Sequence, residues 1–275
     1  MTARWLAIRI HPGRNREAVL AALFAAGAAA VEELGDELVT QLADRGQTDG
    51  LAVALRAAAG EARFTISSVE PTDWSVRWRE SIRRHELGAL TITPPWLADG
   101  ADPRRTVVIQ PGMAFGTGEH ATTRGLARLL QHAVRVGDRA ADLGTGSAVL
   151  AIAAAKLGAA RVAAIELDHD AIANAEENVE RNGVADRVTV IEGDAALLLP
   201  LVAPVRVITA NILSSVLVEL LPTMRDALGP DGVALLGGIM ERERTEMLAA
   251  LEVRHWRVLA DDVEDGWWGC LVSPA

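Results

Sequence analysis

The chain is 275 residues long, 50% of its residues are hydrophobic, and its formal net charge is −10. This length allows one large or two small domains with buried cores; the acidic balance disfavours nucleic-acid binding, and no apolar run reaches the roughly 18 residues of a membrane span. A single cysteine, Cys270, excludes an intrachain disulfide, and the six histidines lack metal-ligand spacing, so we expect no structural metal. The missing membrane span favours a cytoplasmic protein, and we expect a monomer, although no sequence feature sets the oligomeric state.

Residues 1–70 combine strand-like alternation with two stretches rich in helix-forming residues. The segment 5–10 alternates as a strand does, and Gly27 and Gly60 each follow a predicted helix, where glycine commonly ends the helix. The order β-α-β-β-α-β predicts a ferredoxin-like domain that serves in recognition or packing. The predicted strands are 5–10, 29–34, 37–42 and 63–69, and the predicted helices are 15–26 and 48–59.

Residues 71–100 predict a linker helix followed by a connecting strand. Trp74, Trp78 and Ile82 recur at helical spacing and give this helix an apolar stripe. The tryptophans could pack the helix against the next domain or stack on a ligand, and we expect packing. Strand-like segments follow at 89–93 and 105–110.

Residues 101–275 predict a second domain, in which strands and helices alternate from about Arg139 onward. Such alternation is typical of a mostly parallel sheet covered by helices on both faces, with its ligand crevice at the carboxyl ends of the strands. No helical pattern separates the last two strands, which indicates an antiparallel hairpin. The predicted strands are 139–143, 161–165, 188–191, 205–209, 232–236, 254–260 and 268–272, and the predicted helices are 147–157, 169–182, 213–228 and 241–251.

The segment 141–148, with sequence ADLGTGSA, places a glycine turn between a strand and a helix. Glu166 ends the next strand, 22 residues after Gly144, where its carboxylate can accept hydrogen bonds from two ribose hydroxyls. A dinucleotide site requires Gly or Ala at the sixth position of the turn, which is Val149 here. Gly144, Gly146 and Glu166 therefore predict a site for a nucleoside without pyrophosphate, S-adenosylmethionine, with a nicotinamide site or a structural turn as alternatives.

Polar residues follow the third and fourth strands of this domain. Asp194 could accept a hydrogen bond from the adenine amine or could belong to a polar turn. Asn211 could accept a hydrogen bond from a target amine and so aim the lone pair of the amine at a methyl group, or it could cap the next helix.

The loop 111–123 contains three glycines, Phe115 and three threonines ahead of an apolar helix. Glycines allow close backbone approach to a ligand, while Thr122 or Thr123 could cap the helix and bind the carboxylate of the donor. His120 could act as a general base or could orient the substrate or the loop. We expect the orienting or structural role, because an amine that has lost its proton to water attacks a sulfonium methyl unaided.

The loop 111–123, the turn 142–148, the segment 210–213 and the helix beginning Asp73-Trp74 together resemble the ribosomal protein L11 methyltransferase (PrmA) family of bacterial enzymes. The resemblance covers nearly the whole chain. It implies a seven-stranded class I (Rossmann-like) methyltransferase domain, joined by a linker helix to a ferredoxin-like domain that grips the ribosomal protein. The resemblance also implies transfer of methyl groups from S-adenosylmethionine to lysine ε-amines and the N-terminal α-amine of that substrate. The cofactor contacts that it implies are Thr123, Gly144, Glu166 and Asn211, with Phe115 near the transferred methyl.

Three positions depart from the family pattern. Glu166 stands where relatives often have Asp, Ala148 replaces a usual glycine, and Ile82-Arg83-Arg84 replaces an aromatic residue and a proline. The alternatives are a lysine methyltransferase that acts on a different protein, a small-molecule methyltransferase, a nicotinamide oxidoreductase, and a donor-binding protein without activity. Val149 argues against the oxidoreductase, and Asn211 with its loop argues against the inactive binder.

Overall fold

The structure is a computed structural model, and it describes residues 5–13, 15–28, 31–43, 48–59, 63–69, 82–112 and 115–275. The chain divides into two compact units, Met1–Ser81 and Ile82–Ala275. The predicted linker helix, with Trp74 and Trp78, lies outside the described residues, as does the start of the strand predicted at 29–34.

The first unit contains one four-stranded antiparallel sheet with strand order β2-β3-β1-β4. This order, with a helix in each β-α-β connection, is that of a ferredoxin-like unit. Ile8 and Ile10 alternate along β1 and are fully buried beneath Val19 and Leu23 of α1 and Leu55 of α2. The elements are β1 (Trp5–His11), α1 (Arg16–Ala25), β2 (Glu32–Leu34), β3 (Glu37–Ala43), α2 (Thr48–Ala59) and β4 (Arg63–Val69).

The second unit begins with a small sheet of strand order β5-β6-β7, in which β5 and β6 are antiparallel and β6 and β7 are parallel. These strands are β5 (His85–Leu87), β6 (Leu90–Thr93) and β7 (Thr106–Val108). After β7 the chain continues into the glycine-rich loop, which precedes the first helix that packs on the large sheet.

The large sheet has seven strands in the order β10-β9-β8-β11-β12-β14-β13. The first five are parallel, whereas β14 is antiparallel to both β12 and β13. The predicted α/β class, the seven strands and the terminal hairpin are therefore confirmed. The elements are α3 (Ala121–Ala133), β8 (Arg139–Leu143), α4 (Val149–Lys156), β9 (Arg161–Glu166), α5 (His169–Arg181), β10 (Val188–Glu192), α6 (Ala195–Val202), β11 (Val205–Asn211), α7 (Ser214–Ala227), β12 (Leu228–Met240), α8 (Arg244–Val253), β13 (Trp256–Glu264) and β14 (Trp267–Pro274).

Helices cover both faces of this sheet. Successive strand residues point to opposite faces, so Val207 packs with the cluster of α3, α4 and α5, and Ile208 with the cluster of α6, α7 and α8. Every residue of α4 from Val149 to Ala155 is buried, and its alanines let the helix lie close to the strands. Helix α4 thereby fixes the position of the glycine turn that precedes it.

Two elements of this unit were not predicted. Helix α6 contains Pro200, which interrupts a leucine-rich segment and hides its helical pattern, yet Asp194 starts the helix by accepting a hydrogen bond from the Ala196 amide at 2.8 Å. Strand β5 has only three residues, too few to show alternation. The strand expected at 105–110 is shorter in the structure and spans Thr106–Val108.

A network of ion pairs joins the terminal hairpin to α3. Arg128 binds both carboxylate oxygens of Asp262, at 2.8 and 2.6 Å, and Arg124 and Arg128 each lie 2.6 Å from Glu264. Burial acts to raise the pKa of Glu264, but the two guanidinium groups outweigh it and hold that pKa below its usual range. The hairpin and α3 are thereby held together beside the cleft described below.

Replacement of Glu264 by Gln should lower the free energy of unfolding by about 1–2 kcal/mol at pH 7, because two charge-assisted hydrogen bonds weaken. A carboxyl whose native pKa is depressed stabilises the fold above its unfolded pKa of about 4.3 and loses that contribution as the pH falls through the native value. Urea unfolding at pH 7 and pH 3 should show a difference that shrinks at the lower pH. Glu252→Gln, at an exposed position of α8, is the control and should change little; equal stability of Glu264→Gln and the control at pH 7 would contradict the prediction.

Candidate active site

A cleft of about 850 Å³ opens at the carboxyl ends of β8, β9, β10 and β11. This is the edge at which parallel α/β sheets place their ligands. Seven of the eight predicted site residues line it, and the exception is Thr123. The seven are Phe115, His120, Gly144, Gly146, Glu166, Asp194 and Asn211.

The glycine turn forms the floor of the cleft. Gly144 and Gly146 have φ values of 65° and 55°, in the left-handed region that favours glycine. A Cβ on Gly144 would lie 2.5 Å from the Ile212 side chain, and one on Gly146 would lie 2.5 Å from the carbonyl oxygen of Phe115. Ala148 also adopts a φ of 65°, in the left-handed region that favours glycine.

Asp142, near the end of β8, anchors the glycine turn through its carboxylate. Its carboxylate accepts hydrogen bonds from the hydroxyls of Thr145 and Thr209, both at 2.5 Å, and from the Ala151 amide at 3.2 Å. Burial raises the pKa of Asp142 to about 6, even though these hydrogen bonds act to lower it. The sequence assigned this residue no role, although a carboxylate just before a glycine turn signals such an anchor.

Glu166, at the end of the neighbouring strand β9, also binds the glycine turn through its carboxylate. Its Oε2 accepts a hydrogen bond from the Gly146 amide at 2.7 Å, while its Oε1 accepts from the amides of Leu167 and Asp168 at 2.9 and 3.0 Å. The carboxylate therefore has two functions. It fixes the ends of two neighbouring strands, and its Oε2 can accept one further donor from a ligand in the cleft.

Asn211, at the end of β11, has a side-chain acceptor that no group in the structure satisfies. Its Nδ2 donates a hydrogen bond to the Thr123 hydroxyl at 3.3 Å, whereas its buried Oδ1 has no hydrogen-bond partner among the described residues. A buried acceptor without a donor is costly unless a ligand supplies one. Asn211 does not cap α7, whose N-cap residue is Leu213.

Thr123 supports Asn211 and does not line the cleft. Its side chain is fully buried in the first turn of α3. The expectation that Thr122 or Thr123 caps this helix is wrong. The cap is His120, whose Nδ1 accepts a hydrogen bond from the Thr122 amide at 3.4 Å and lies 2.8 Å from the Thr122 hydroxyl.

The environment of His120 favours a structural role. The ring lies between Phe115 and Trp267, with ring centroids 5.2 and 4.6 Å away and edge-to-face geometry. Burial, and then the charge of Arg124, lower the pKa of His120, so that the ring is neutral near pH 7. Nδ1 is occupied by the amide and the hydroxyl of Thr122, and a neutral imidazole that accepts hydrogen bonds at Nδ1 carries its proton on Nε2, which argues against a general base.

The glycine-rich loop packs directly on the glycine turn. Ser147 donates from its amide to the Phe115 carbonyl at 2.9 Å and from its hydroxyl to the Gly116 carbonyl at 2.7 Å. Gly116, with φ of 102°, has no room for a Cβ beside the Ser147 hydroxyl. The Phe115 side chain stays 56% exposed at the mouth of the cleft.

The charged residues in the described lining of the cleft are acidic. Four carboxylate residues line it, and its described lining contains neither lysine nor arginine. Asp194 is among the four, although its side chain also caps α6. A diphosphate would meet repulsion here, so the lining suits a nucleoside that is neutral or positively charged. The other carboxylates are Glu166, Asp168 and Glu219.

The described parts of the chain contain no group of three or more His, Cys, Asp or Glu side chains arranged to hold a metal ion. Within them, no helix has both the length and the apolar character needed to cross a membrane.

A comparison with known families identifies the chain. The model of the family described as ribosomal protein L11 methyltransferase (PrmA) matches residues 15–274. The chain belongs to this family. The resemblance inferred from the loop, the turn and the segment around Asn211 is therefore confirmed.

Curated relatives and a solved structure agree with this membership. Proteins named ribosomal protein L11 methyltransferase are 38% identical over 75% of this chain in Gloeobacter violaceus and 38% identical over 81% of it in Pelotomaculum thermopropionicum. The chain spans 64% of the length of the first relative and 72% of the second. A crystal structure of ribosomal protein L11 methylase from Lactobacillus delbrueckii subsp. bulgaricus is 31% identical, with a TM-score of 0.62, and the match covers 70% of this chain and 98% of that one.

Replacement of Gly144 by Ala should destabilise the protein more than the same change at Gly137. Both glycines have positive φ, 65° and 91°, but only at Gly144 would the new Cβ meet another side chain. Left-handed backbone strain of about 1–2 kcal/mol applies to both variants, and the overlap with Ile212 should add about 1–3 kcal/mol at Gly144. Urea unfolding measures the difference, and equal losses would show that the turn is less tightly packed than described.

Proposed function

We propose that this chain transfers methyl groups from S-adenosylmethionine to lysine ε-amines and the N-terminal α-amine of ribosomal protein L11. Family membership supports a methyltransferase that acts on this protein. The observation that carries the proposal is the unsatisfied Oδ1 of Asn211 at the end of β11, where an amine hydrogen would be its donor.

The residues of the cleft suit S-adenosylmethionine. Glu166 would bind the ribose through Oε2, and Asp194 would accept a hydrogen bond from the adenine amine. Gly144 and Gly146 would give the turn the left-handed backbone that forms the floor of the cleft. The acidic lining favours a sulfonium cation and disfavours the pyrophosphate of a nicotinamide cofactor. Thr123 would act indirectly, through its hydrogen bond with Asn211.

Asn211 would orient the amine that is methylated. Bound S-adenosylmethionine supplies a methyl group that is already activated by its sulfonium. Asn211 Oδ1 accepts one hydrogen of the neutral amine, which directs the nitrogen lone pair along the line of attack. The Thr123 hydroxyl holds the Asn211 amide in place by accepting a hydrogen bond from Nδ2.

The bond changes need no protein base. Bound S-adenosylmethionine would supply both the methyl group and its thioether leaving group, so the residues of the cleft would only have to hold and orient the amine. The methylated ammonium then releases its proton to water. The aromatic side chains of Phe115, His120 and Trp267 would surround the methyl group and limit the access of water, and His120 would orient the loop without accepting the proton.

The first unit, residues 1–81, would select the protein substrate. Its antiparallel sheet has one face covered by two helices. If this unit recognises another protein, the chain is a lysine methyltransferase with a different substrate, and the chemistry at Asn211 is unchanged.

Asn211→Ala and Glu166→Gln should impair different steps. The first should slow methyl transfer on the order of 100-fold with little change in cofactor affinity, because it removes an interaction with the attacking amine. The second should weaken cofactor binding about tenfold and leave the rate at saturation within a few-fold, since Gln keeps the size of Glu but not its charge. Calorimetric binding and single-turnover transfer measure the two quantities; equal changes in both for each variant would contradict this division of roles.

A transfer assay tests the substrate. Purified chain, labelled S-adenosylmethionine and either ribosomal protein L11 or a whole lysate should give label on ribosomal protein L11, at amines identified by mass spectrometry. An Asn211→Ala sample is the matched control. Label on another protein alone would retain the methyltransferase activity and reject the substrate, and no label with either acceptor would reject the proposal.

A further inference from the structure

Three asparagines at the side of α5 face the backbone of a neighbouring segment. Asn174, Asn178 and Asn182 are four residues apart and therefore share one side of the helix. A carboxamide carries a donor and an acceptor, as a peptide group does, so a row of asparagines can pair with a strand edge in place of another strand.

Strand β7 and the residues after it form hydrogen bonds with β6 along one edge and with asparagine side chains of α5 along the other edge. Ile109 donates a hydrogen bond to the Thr93 carbonyl of β6 at 3.0 Å. On the opposite edge, the Val108 amide donates to Asn182 Oδ1 at 2.9 Å, and the Val108 carbonyl accepts from Asn182 Nδ2 at 2.7 Å. Two residues further, the Gln110 amide donates to Asn178 Oδ1 at 2.7 Å.

The spacing of helix and strand explains this pairing. Four residues of α-helix rise about 6 Å, and two residues of strand advance about 6.7 Å, so every fourth helix position meets every second strand position. The third asparagine binds the same segment without extending this register, since Asn174 Nδ2 donates to the Gln110 carbonyl at 3.2 Å. The row therefore holds the chain up to the point where the glycine-rich loop begins.

Asn178 also reaches the glycine turn. Its side chain has no exposed surface, and its Nδ2 donates to the Ser147 carbonyl at 3.2 Å while its Oδ1 binds Gln110. Ser147 in turn binds the carbonyls of Phe115 and Gly116. One carboxamide thus fixes the start of the loop and the end of the turn relative to each other.

We propose that Asn178 is a positioning residue for cofactor binding, which acts by holding the loop at Gln110 and the glycine turn at Ser147 in one arrangement. The inference rests on the proposed use of S-adenosylmethionine. Asn178 does not line the cleft, so its effect on a ligand must pass through these two backbone segments. A residue with a merely structural role would alter the stability of the fold and leave the affinity of the folded protein unchanged.

Asn178→Asp tests this role, because aspartate keeps the acceptor for Gln110 but donates to Ser147 only when protonated. We expect the affinity for S-adenosylmethionine to fall at least about tenfold relative to wild type at pH 8, and to recover toward wild type at pH 6 as the buried carboxyl takes up a proton. Each value is a ratio to wild type at the same pH, since Asp142 also has a pKa of about 6. Calorimetry measures the affinity at a temperature where circular dichroism shows each variant to be folded.

Asn182→Asp is the matched control. It makes the same chemical change in the same row, but its Nδ2 donates to the carbonyls of Val108 and Asn178 and not to the turn. It should lower stability and leave the affinity ratio near one at both pH values. Asn178→Ser is a second test should Asn178→Asp not fold, because it removes the donor to the Ser147 carbonyl without adding a charge and should also weaken binding.

The outcomes separate this inference from the proposed function. A wild-type protein that does not bind S-adenosylmethionine would reject the proposed function and, with it, the inference. A wild type that binds, with unchanged affinity in Asn178→Asp and in Asn178→Ser, would overturn only the positioning role. Equal weakening by Asn178→Asp and Asn182→Asp would also overturn it, since the effect would then not depend on the turn.

Discussion

The hydrogen bonds of the buried Asp142 carboxylate hold together the elements that form the cleft. The two hydroxyls and one amide that bind it belong to the glycine turn, to β11 and to the first turn of α4. A carboxylate at 2% exposure is costly to desolvate, and its donors offset part of that cost only while turn, strand and helix keep their relative positions. The geometry of the turn is therefore coupled to the packing of the sheet.

Three further segments, each distant in the sequence, also form hydrogen bonds with the glycine turn. Glu166 binds it from the end of β9, the loop carbonyls of Phe115 and Gly116 bind Ser147, and Asn178 binds the Ser147 carbonyl from α5. These contacts hold the turn in place, while Asn211 Oδ1, which belongs to a residue lining the cleft, has no hydrogen-bond partner among the described residues. A fixed turn beside a cleft-lining residue with an unpaired acceptor is preorganised for a ligand donor.

Local patterns predicted the regular elements well where the hydrophobic period was clear. The alternating strands and the absence of a helix before the last strand defined the sheet and its hairpin, and the offset of Glu166 from the turn located the cleft. Helix α6 was missed because Pro200 and a continuous run of leucine hide the helical period. His120 was not recognised as a helix cap because Ser, Thr, Asp and Asn are the usual caps and two threonines follow it.

The sequence by itself determined the class of fold, the position of the glycine turn, the place of Glu166 at the cleft, the candidate role of Asn211 and the family, because each depends on residues close together in the chain or at a fixed offset. Only the tertiary structure decided that Thr123 supports Asn211, that Asp142 anchors the turn, and that Asn178 joins the turn to the loop. These contacts span up to 88 residues, as between Asn211 and Thr123. A hydrogen bond of this kind depends on how strands and helices pack, and no local period or spacing in the sequence records it.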